Sequence, residues 1–123
     1  MLPVPTESAR SKYLKGLANG QLLYQFDRVA GVPVFFPREV GPSGHPDALE
    51  WRRSSGLGVV YSITVVHPKS RPRYSIAIVE LDEGFRLMST VIDDRCDVPI
   101  GSRVRASFEP MDEESRVVFE VLR

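Results

Sequence analysis

The hydrophobic pattern divides the chain into a helical start, an irregular middle and a strand-rich end. Residues 6–20 read TESARSKYLKGLANG, with Thr6 or Ser8 as a cap, apolar residues at helical spacing and Gly20 at the end. This pattern predicts a short amphipathic helix. Because Gly16 costs about 1 kcal/mol relative to Ala, we expect the helix to depend on the surface that its apolar face packs against.

From residue 56 onward the apolar residues recur with a period of two. The run GLGVVYSITVVH places Val59, Tyr61 and Ile63 on one face, which predicts a long β-branched strand. Two further strands meet at the turn DEG, residues 82–84, and the last two meet at the acidic turn PMDEE. Five strands in about 68 residues predict a small barrel.

Composition limits the possible classes of protein. A chain of 123 residues supports one compact core with a small appendage. Its 16 Lys and Arg balance its 16 Asp and Glu, so an anion can be bound only by a local cluster. The single Cys96 excludes a disulfide framework, and neither a signal peptide nor a run of ~20 apolar residues is present. We therefore expect a cytoplasmic protein without a membrane segment.

Residues suited to catalysis are few and scattered. The two histidines, His45 and His67, fall in separate predicted loops, and no nucleophile or phosphate-loop motif occurs. Cys96 lies among acidic residues, which disfavour a reactive thiolate. Glu80, Asp82 and Glu83 lie together in a predicted hairpin, where carboxylates usually form a solvated tip. The sequence therefore predicts that the protein is not an enzyme.

The clearest candidate for binding is a basic loop. Residues 67–74, HPKSRPRY, contain Lys69, Arg71 and Arg73 between the first two predicted barrel strands, and we expect Arg52 to extend the same charged field. The loop has three interpretations: a solvated loop, a nucleic-acid site or a contact for another anion. Tyr74 is the one aromatic residue there, and the charge balance argues against nucleic acid.

Two apolar features are candidates for contact with a partner protein. The helix carries Tyr13, Leu14 and Leu17 on one face, and no second helix is predicted that could cover them. Trp51, between the irregular segment and the barrel, is either a packing residue at that joint or a partner contact.

Several stretches resemble a known family. They read, in chain order, YLKGLANGQLLYQF, FFPRE, DALEWRRSSGLGVVYSITVVH, YSIAIVELDEGFRLMSTV and IGSRVRASFE. Together they resemble the bacterial and archaeal thiolase-associated proteins of the domain of unknown function thirty-five family. The resemblance implies a mainly β chain with an N-terminal helix (1–22), a rubredoxin-like zinc ribbon (23–55) and a five-stranded OB-fold barrel (56–123).

The resemblance also implies a zinc site that this sequence has lost. Family members usually carry two Cys-x-x-Cys knuckles that bind zinc, and the matching positions here are Phe26, Val29, Gly41 and Gly44. We therefore predict a metal-free ribbon without a cofactor. We expect apolar packing to replace the metal and the ribbon to be the loosest part of the molecule; the residues expected to pack there are Phe26, Val29, Val34, Phe35 and Phe36.

The resemblance further implies a function. Family members bind thiolase-fold enzymes or aldolases that act on coenzyme A thioesters, which implies a non-catalytic accessory subunit. In that role Lys69, Arg71, Arg73 and Arg52 would contact the phosphates of coenzyme A. The competing hypothesis is an OB-fold protein that binds single-stranded nucleic acid.

Overall fold

The computed structural model describes residues 8–45, 47–93 and 98–122, so Cys96 and Thr6 lie outside the described residues. These ranges contain one helix followed by strands. Helix α1 is Ala9–Ala18. The strands are β1 (Leu23–Asp27), β2 (Val32–Val34), β3 (Leu49–Arg53), β4 (Leu57–Val66), β5 (Tyr74–Leu81), β6 (Arg86–Ser89), β7 (Val91–Ile92), β8 (Arg103–Met111) and β9 (Glu114–Val121). Within the described ranges, no helix is long and apolar enough to cross a membrane.

Helix α1 begins and ends at the residues that the sequence pattern favours. The N–H of Ser11 donates to the side chain of Ser8 at 3.1 Å, which caps the first turn. Gly20 then adopts a positive φ of 72° just past the helix. Gly16 is buried, and a Cβ at this position would lie 2.8 Å from Cδ1 of Leu23. The glycine that weakens the helix therefore allows it to pack closely against the start of β1.

The strands form two sheets. The smaller sheet is antiparallel with the order β2-β1-β3, and the larger has the order β6-β5-β4-β8-β9-β7. Strands β7 and β9 pair in parallel, while the other neighbours in the larger sheet are antiparallel. The larger sheet is an OB-fold.

The five predicted strands of the OB-fold are all present, but the sheet that they form is not closed. The third strand of the OB-fold is interrupted at Thr90 and therefore appears as β6 and β7, which lie at the two edges of an open sheet. The carbonyl of Thr90 accepts a hydrogen bond from the N–H of Phe119 at 3.0 Å. This strand pairs with β5 before the break and with β9 after it, so the two edges of the six-stranded sheet belong to one interrupted strand, and the sheet is not closed by a continuous ladder.

Strand β4 also departs from the regular alternation that the sequence suggests. Its register with β5 shifts between Val60 and Ser62, so Tyr61 lies in a bulge. Val60 faces the core before the bulge, whereas Tyr61 is exposed and has the guanidinium of Arg86 3.8 Å from its ring centroid. After the bulge Ile63 packs against the core, so it does not share the face of Tyr61 that the alternation assigns to it.

One hydrophobic core serves the helix and both sheets. Val79, Val104 and Phe119 of the OB-fold are fully buried in it, and Leu17 and Tyr24 belong to the same cluster. Leu17 is only 4% exposed, so the expectation that the apolar face of the helix is uncovered is wrong for this residue. The face is covered in part by the chain's own strands, because α1 packs on β9 and β1, while Tyr13 and Leu14 stay half-buried.

Aromatic rings form the joint between the small sheet and the OB-fold. Phe85 stacks on Tyr24 of β1 with ring centroids 4.8 Å apart, and on Phe35 at 5.2 Å. Phe35 in turn meets Tyr13 of the helix edge-on at 5.4 Å. The helix, the small sheet and the OB-fold are therefore packed together through one group of rings.

Candidate functional site

A groove of about 840 Å³ lies between α1 and the OB-fold, within the size range of small-molecule sites. Its floor is formed by β5 and β6, and one end is formed by the turn between β8 and β9. Strands two and three of an OB-fold, with the loop after the first strand and the loop before the last, are the surface that OB-folds use for ligands. The groove therefore occupies the usual ligand face of the fold.

The floor is apolar because the outward side chains of two paired strands are apolar. On β5, Tyr74 and Ile76 are exposed while the alternate residues Ser75 and Ala77 are buried. On β6, Met88 is 65% exposed and also lines the groove. Apolar side chains exposed side by side on a sheet indicate a surface that binds something.

The helix supplies the facing wall. Tyr13, Leu14 and Leu17 all line the groove, although Leu17 is buried and the other two are half-buried. Burial raises the pKa of Tyr13 from 10.0 to about 12, so its hydroxyl stays protonated even in moderately alkaline solution. Three of the four residues predicted to contact a partner protein, those of the helix, therefore form the wall of a groove within the chain.

Charge differs sharply between the two ends of the groove. Lys69, Arg71 and Arg73 are exposed in the loop that leads directly into Tyr74, which lines the groove. Among the described residues, no carboxylate forms a salt bridge with these three cations. The other end carries Asp112 together with Glu113 and Glu114. The groove is therefore lined by acidic residues at the β8–β9 turn and adjoined by a basic loop at Tyr74.

Arg52 does not belong to this site. It lies on β3, where its Nη2 is 2.9 Å from Oε2 of Glu50 and its guanidinium carbon is 3.9 Å from the ring centroid of Phe26. The hydrogen bond to Glu50 raises the pKa of Arg52. The ten residues of β4, about 30 Å when extended, separate β3 from the basic loop, so the expectation of a shared field is wrong.

Trp51 lies in the small sheet beside the helix. It is half-buried, faces Gln25 across the β1–β3 ladder, and lies outside the buried cluster that forms the core. The ammonium of Lys12 is 5.5 Å from its ring centroid. Trp51 therefore links β3 to α1 at the surface and is not a central packing residue of the joint.

The positions that the resemblance assigns to zinc ligands lie in and around two turns of the small sheet. Phe26 is half-buried on β1, Val29 is 60% exposed, Gly41 is buried, and Gly44 has a φ of 76°. In the described ranges, no three His, Cys, Asp or Glu residues are grouped to hold a metal. Phe36 is 69% exposed and, like Val29, points to solvent. The expectation that these two side chains pack in place of the metal is therefore wrong.

A buried carboxylate joins the two turns instead. Oδ1 of Asp27 accepts hydrogen bonds from the N–H groups of Val29 at 3.0 Å and Ala30 at 2.9 Å. Oδ2 accepts one from the N–H of Ser43 at 2.9 Å, and the residue is 0% exposed. These bonds, chiefly the one from Ala30, lower the pKa of Asp27 to about 2 although burial opposes the shift. Sequence reasoning missed Asp27, whose one signal is an Asp at the end of a strand before a turn.

In the acidic hairpin after β5, Glu83 and Asp82 make structural contacts, although Asp82 remains exposed as expected of a solvated tip. Glu83 accepts hydrogen bonds from the hydroxyl of Ser54 at 2.6 Å and from the N–H of Ser55 at 2.9 Å. Asp82 is held by both terminal nitrogens of Arg103, at 2.8 and 3.1 Å, and this lowers the pKa of Asp82. The hairpin therefore ties the linker before β4 and the start of β8 together.

Comparison with known proteins agrees with this fold. The sequence profile of the family described as ChsH2, C-terminal OB-fold domain, matches residues 51–109. A relative from Methanocaldococcus jannaschii, described as a DUF35 domain-containing scaffold protein, is 39% identical over 89 residues. A second DUF35 scaffold protein, from Methanothermobacter thermautotrophicus, is 36% identical over 89 residues, and the alignment covers 67% of that relative. This chain is a DUF35 OB-fold protein.

The alignments with these DUF35 relatives are partial, whereas the structural likeness is complete. Each alignment covers 66% of this chain and 63% or 67% of the relative. A solved chain from the Ltp2-ChsH2(DUF35) aldolase superposes with a TM-score of 0.79 at 24% identity, over 98% of both chains. A DUF35 protein of unknown function from Sulfolobus solfataricus gives 0.67 at 14% identity, over 95% of this chain and 87% of the other. The fold of the DUF35 chain is therefore shared over nearly its whole length.

Proposed function

We propose that this DUF35 protein is a non-catalytic accessory subunit that binds a thiolase-fold enzyme or aldolase and holds part of its acyl-CoA substrate. The observation that carries the proposal is the apolar groove on the ligand face of the OB-fold, open to a basic loop at one end. Two relatives described as scaffold proteins, and a solved neighbour that is part of an aldolase, support a partner enzyme.

A coenzyme A thioester has a charged part and an uncharged part, and the two parts match different ends of the groove. Its phosphates match the exposed cations Lys69, Arg71 and Arg73, which offer point charges and forked N–H donors. Its uncharged thioester arm matches the apolar floor formed by Ile76 and Met88. The acidic turn at the far end repels phosphate, so the thioester would enter with its phosphates at the basic loop.

The competing function, binding of single-stranded nucleic acid, fits this groove less well. Such a site needs positive charge along its length and exposed aromatic rings on which bases stack. Here one end of the groove carries three consecutive acidic residues, 112–114, which repel a phosphate backbone. The groove has one tyrosine in its wall and one in its floor. Tyr13 in the wall is half-buried and packs against Phe35, so Tyr74 in the floor is the tyrosine ring available for stacking.

The partner is tested by purifying the tagged full chain from its natural cells and identifying bound proteins by mass spectrometry. A thiolase-fold enzyme or aldolase in fixed ratio to the chain, stable through gel filtration, is the expected result. If the chain elutes without such an enzyme and instead binds a fluorescent single-stranded oligonucleotide at ~150 mM salt, the nucleic-acid function replaces the proposal.

The role of the basic loop is tested by a charge-matched pair of variants. Arg71→Ala with Arg73→Ala should weaken octanoyl-CoA binding about tenfold in titration calorimetry and reduce its dependence on salt between ~50 and ~200 mM. Arg53→Ala with Arg105→Ala removes the same charge near the opposite end of β4, where Arg105 lies opposite Leu57, and should leave affinity unchanged. Equal effects of the two pairs would exclude a phosphate contact at the loop.

A further inference from the structure

We infer that the groove accepts acyl groups that are apolar and uncharged to their ends and rejects acyl groups that end in a carboxylate. This inference rests on the proposed function, since it concerns the thioester that the groove would hold. It assigns a role in specificity to the acidic turn between β8 and β9. Neither the fold nor the ligand face of the OB-fold requires this turn to be acidic.

The position of the acidic turn relative to the basic loop sets the direction of the ligand. Ala77 pairs with Ser89, whose hydroxyl donates to the carbonyl of Val117, so the three strands lie level at this point. Because β5 runs antiparallel to the third OB strand and β9 runs parallel to it, Tyr74 at the start of β5 and Glu113 before β9 lie on opposite sides of that level. A coenzyme A thioester anchored by its phosphates at the loop therefore points its acyl group at the turn. The far end of the acyl group is the part of the ligand that meets Glu113.

The charge of the turn is incompletely balanced by its neighbours. Glu114 lies 3.8 Å from Arg10 of the helix, and Arg116 is paired with Glu109. Within the described part of the chain, no salt bridge involves Asp112 or Glu113. A carboxylate brought to this end would meet like charge in a half-enclosed apolar site, where repulsion is weakly screened.

Arg116 is a cation that lines the groove next to the turn, but its pairing with Glu109 already balances its charge, so it compensates a second carboxylate poorly. Met111 at the end of β8 and Met88 of the floor are exposed thioether side chains, and Leu14 of the helix forms the facing wall. Methionine side chains adapt to apolar ligands of different shape, so they suit alkyl or ring-containing acyl groups. The groove thus combines an apolar surface that accepts acyl groups of different shape with an acidic turn that repels a terminal carboxylate.

The test compares two thioesters of the same length, octanoyl-CoA and suberoyl-CoA, which differ by a terminal methyl against a terminal carboxylate. With the full chain in titration calorimetry, suberoyl-CoA should bind at least about tenfold more weakly than octanoyl-CoA. Glu113→Lys should reduce the ratio of the two dissociation constants several-fold. The ratio of the two dissociation constants is compared because both thioesters share the coenzyme A moiety. Any general effect of the substitution on binding of that moiety cancels in the ratio.

Glu120→Lys is the matched control, since Glu120 is an exposed acidic residue of β9 that does not line the groove. It should leave the ratio unchanged. Equal binding of the two thioesters, or a ratio that Glu113→Lys does not change, would overturn the inference while leaving the acyl-CoA role intact. Failure of both thioesters to bind would overturn the acyl-CoA role as well.

Discussion

The carboxylate of Asp27 accepts a hydrogen bond from the backbone N–H of Ser43 at 2.9 Å, across 16 residues of sequence. The same carboxylate accepts from Val29 and Ala30 of its own turn. One charged side chain therefore fastens two turns that the family resemblance assigns to the two knuckles of a metal site. A carboxylate with three N–H donors needs no cation to be stable in a buried position.

Asp27→Asn should lower the melting temperature, on the order of 5 °C. The asparagine keeps the size of the side chain, but its NH₂ group replaces Oδ2 and faces the N–H of Ser43, so that a donor meets a donor. Differential scanning calorimetry measures the shift. Asp47→Asn, at an exposed aspartate near the second turn, is the control and should melt within about 1 °C of the unmodified protein.

Acid should weaken the fold through the same carboxylate. The folded pKa of Asp27, about 2, lies below its ordinary value of 3.8, so on acidification the unfolded chain takes up the proton first. The contribution of Asp27 to stability is therefore complete above the ordinary pKa and is lost as the pH falls from about 4 towards about 2. Urea midpoints should differ between the unmodified protein and Asp27→Asn at about pH 6 and converge near pH 2. A constant difference would place the effect elsewhere.

Gly41 should be coupled to Asp27. A Cβ at position 41 would lie 2.6 Å from Oδ2 of Asp27 and 2.6 Å from Cδ2 of Leu49, which is closer than such atoms pack. We expect Gly41→Ala to cost about 1–3 kcal/mol of unfolding free energy. In an Asp27→Ala background the cost should fall, because one of the two clashing groups is gone. Strictly additive costs in denaturant unfolding would show that the two residues do not compete for this space.

The elements that sequence reasoning placed well are those determined by neighbours in the chain. The cap at Ser8, the stop at Gly20 and the turn at residues 82–84 depend on a few consecutive residues, and the structure confirms all three. The interruption of the third OB strand at Thr90 was not predicted, because alternation reports only the face on which a residue lies. Which strands pair, and where a strand changes partner, is decided by contacts distant in sequence.

The candidate site was predicted only in part, because some of its contacts also join residues that are distant in sequence. The basic loop was evident because Lys69, Arg71 and Arg73 are close in sequence. The burial of Leu17 depends on strands that lie far along the chain, so its apolar face could be identified but not the surface that covers it. The role of Asp27 required three N–H donors from two separate turns, which no local pattern encodes.

Glu83 should stabilise the joint between the linker and the OB-fold. Glu83→Ala removes the acceptor of the Ser54 hydroxyl, which is buried, and of the Ser55 N–H. We expect a loss of about 1–3 kcal/mol in urea unfolding. Glu80→Ala is the control from the same hairpin: its partner Arg86, 3.2 Å away, forms an exposed pair, which contributes about 0–1 kcal/mol. A smaller loss for Glu83→Ala than for Glu80→Ala would contradict the assignment.

The adjacent residues Phe35 and Phe36 should behave in opposite ways. Phe35 contacts both Tyr13 and Phe85 in the joint, so Phe35→Ala should lower the unfolding free energy by about 3 kcal/mol. Phe36 is 69% exposed, and its ring centroid lies 4.9 Å from that of Phe35, so Phe36→Ala should lower the unfolding free energy by no more than about 1 kcal/mol. An exposed aromatic ring beside a rigid joint is suited to anchor a partner protein. We therefore expect Phe36→Ala to weaken retention of the partner enzyme during purification.

Phe36 has either a structural role or a partner-binding role, and chemical denaturation together with purification of the tagged chain distinguishes them. Phe36→Tyr keeps the ring, and with it the apolar contact area, so it should retain the partner as the unmodified chain does. If Phe36→Ala unfolds as easily as Phe35→Ala, the ring is structural and not an anchor. If it is stable and still retains the partner enzyme fully, the contact lies on another surface, and the exposed Met88 at the floor of the groove is the next side chain to replace.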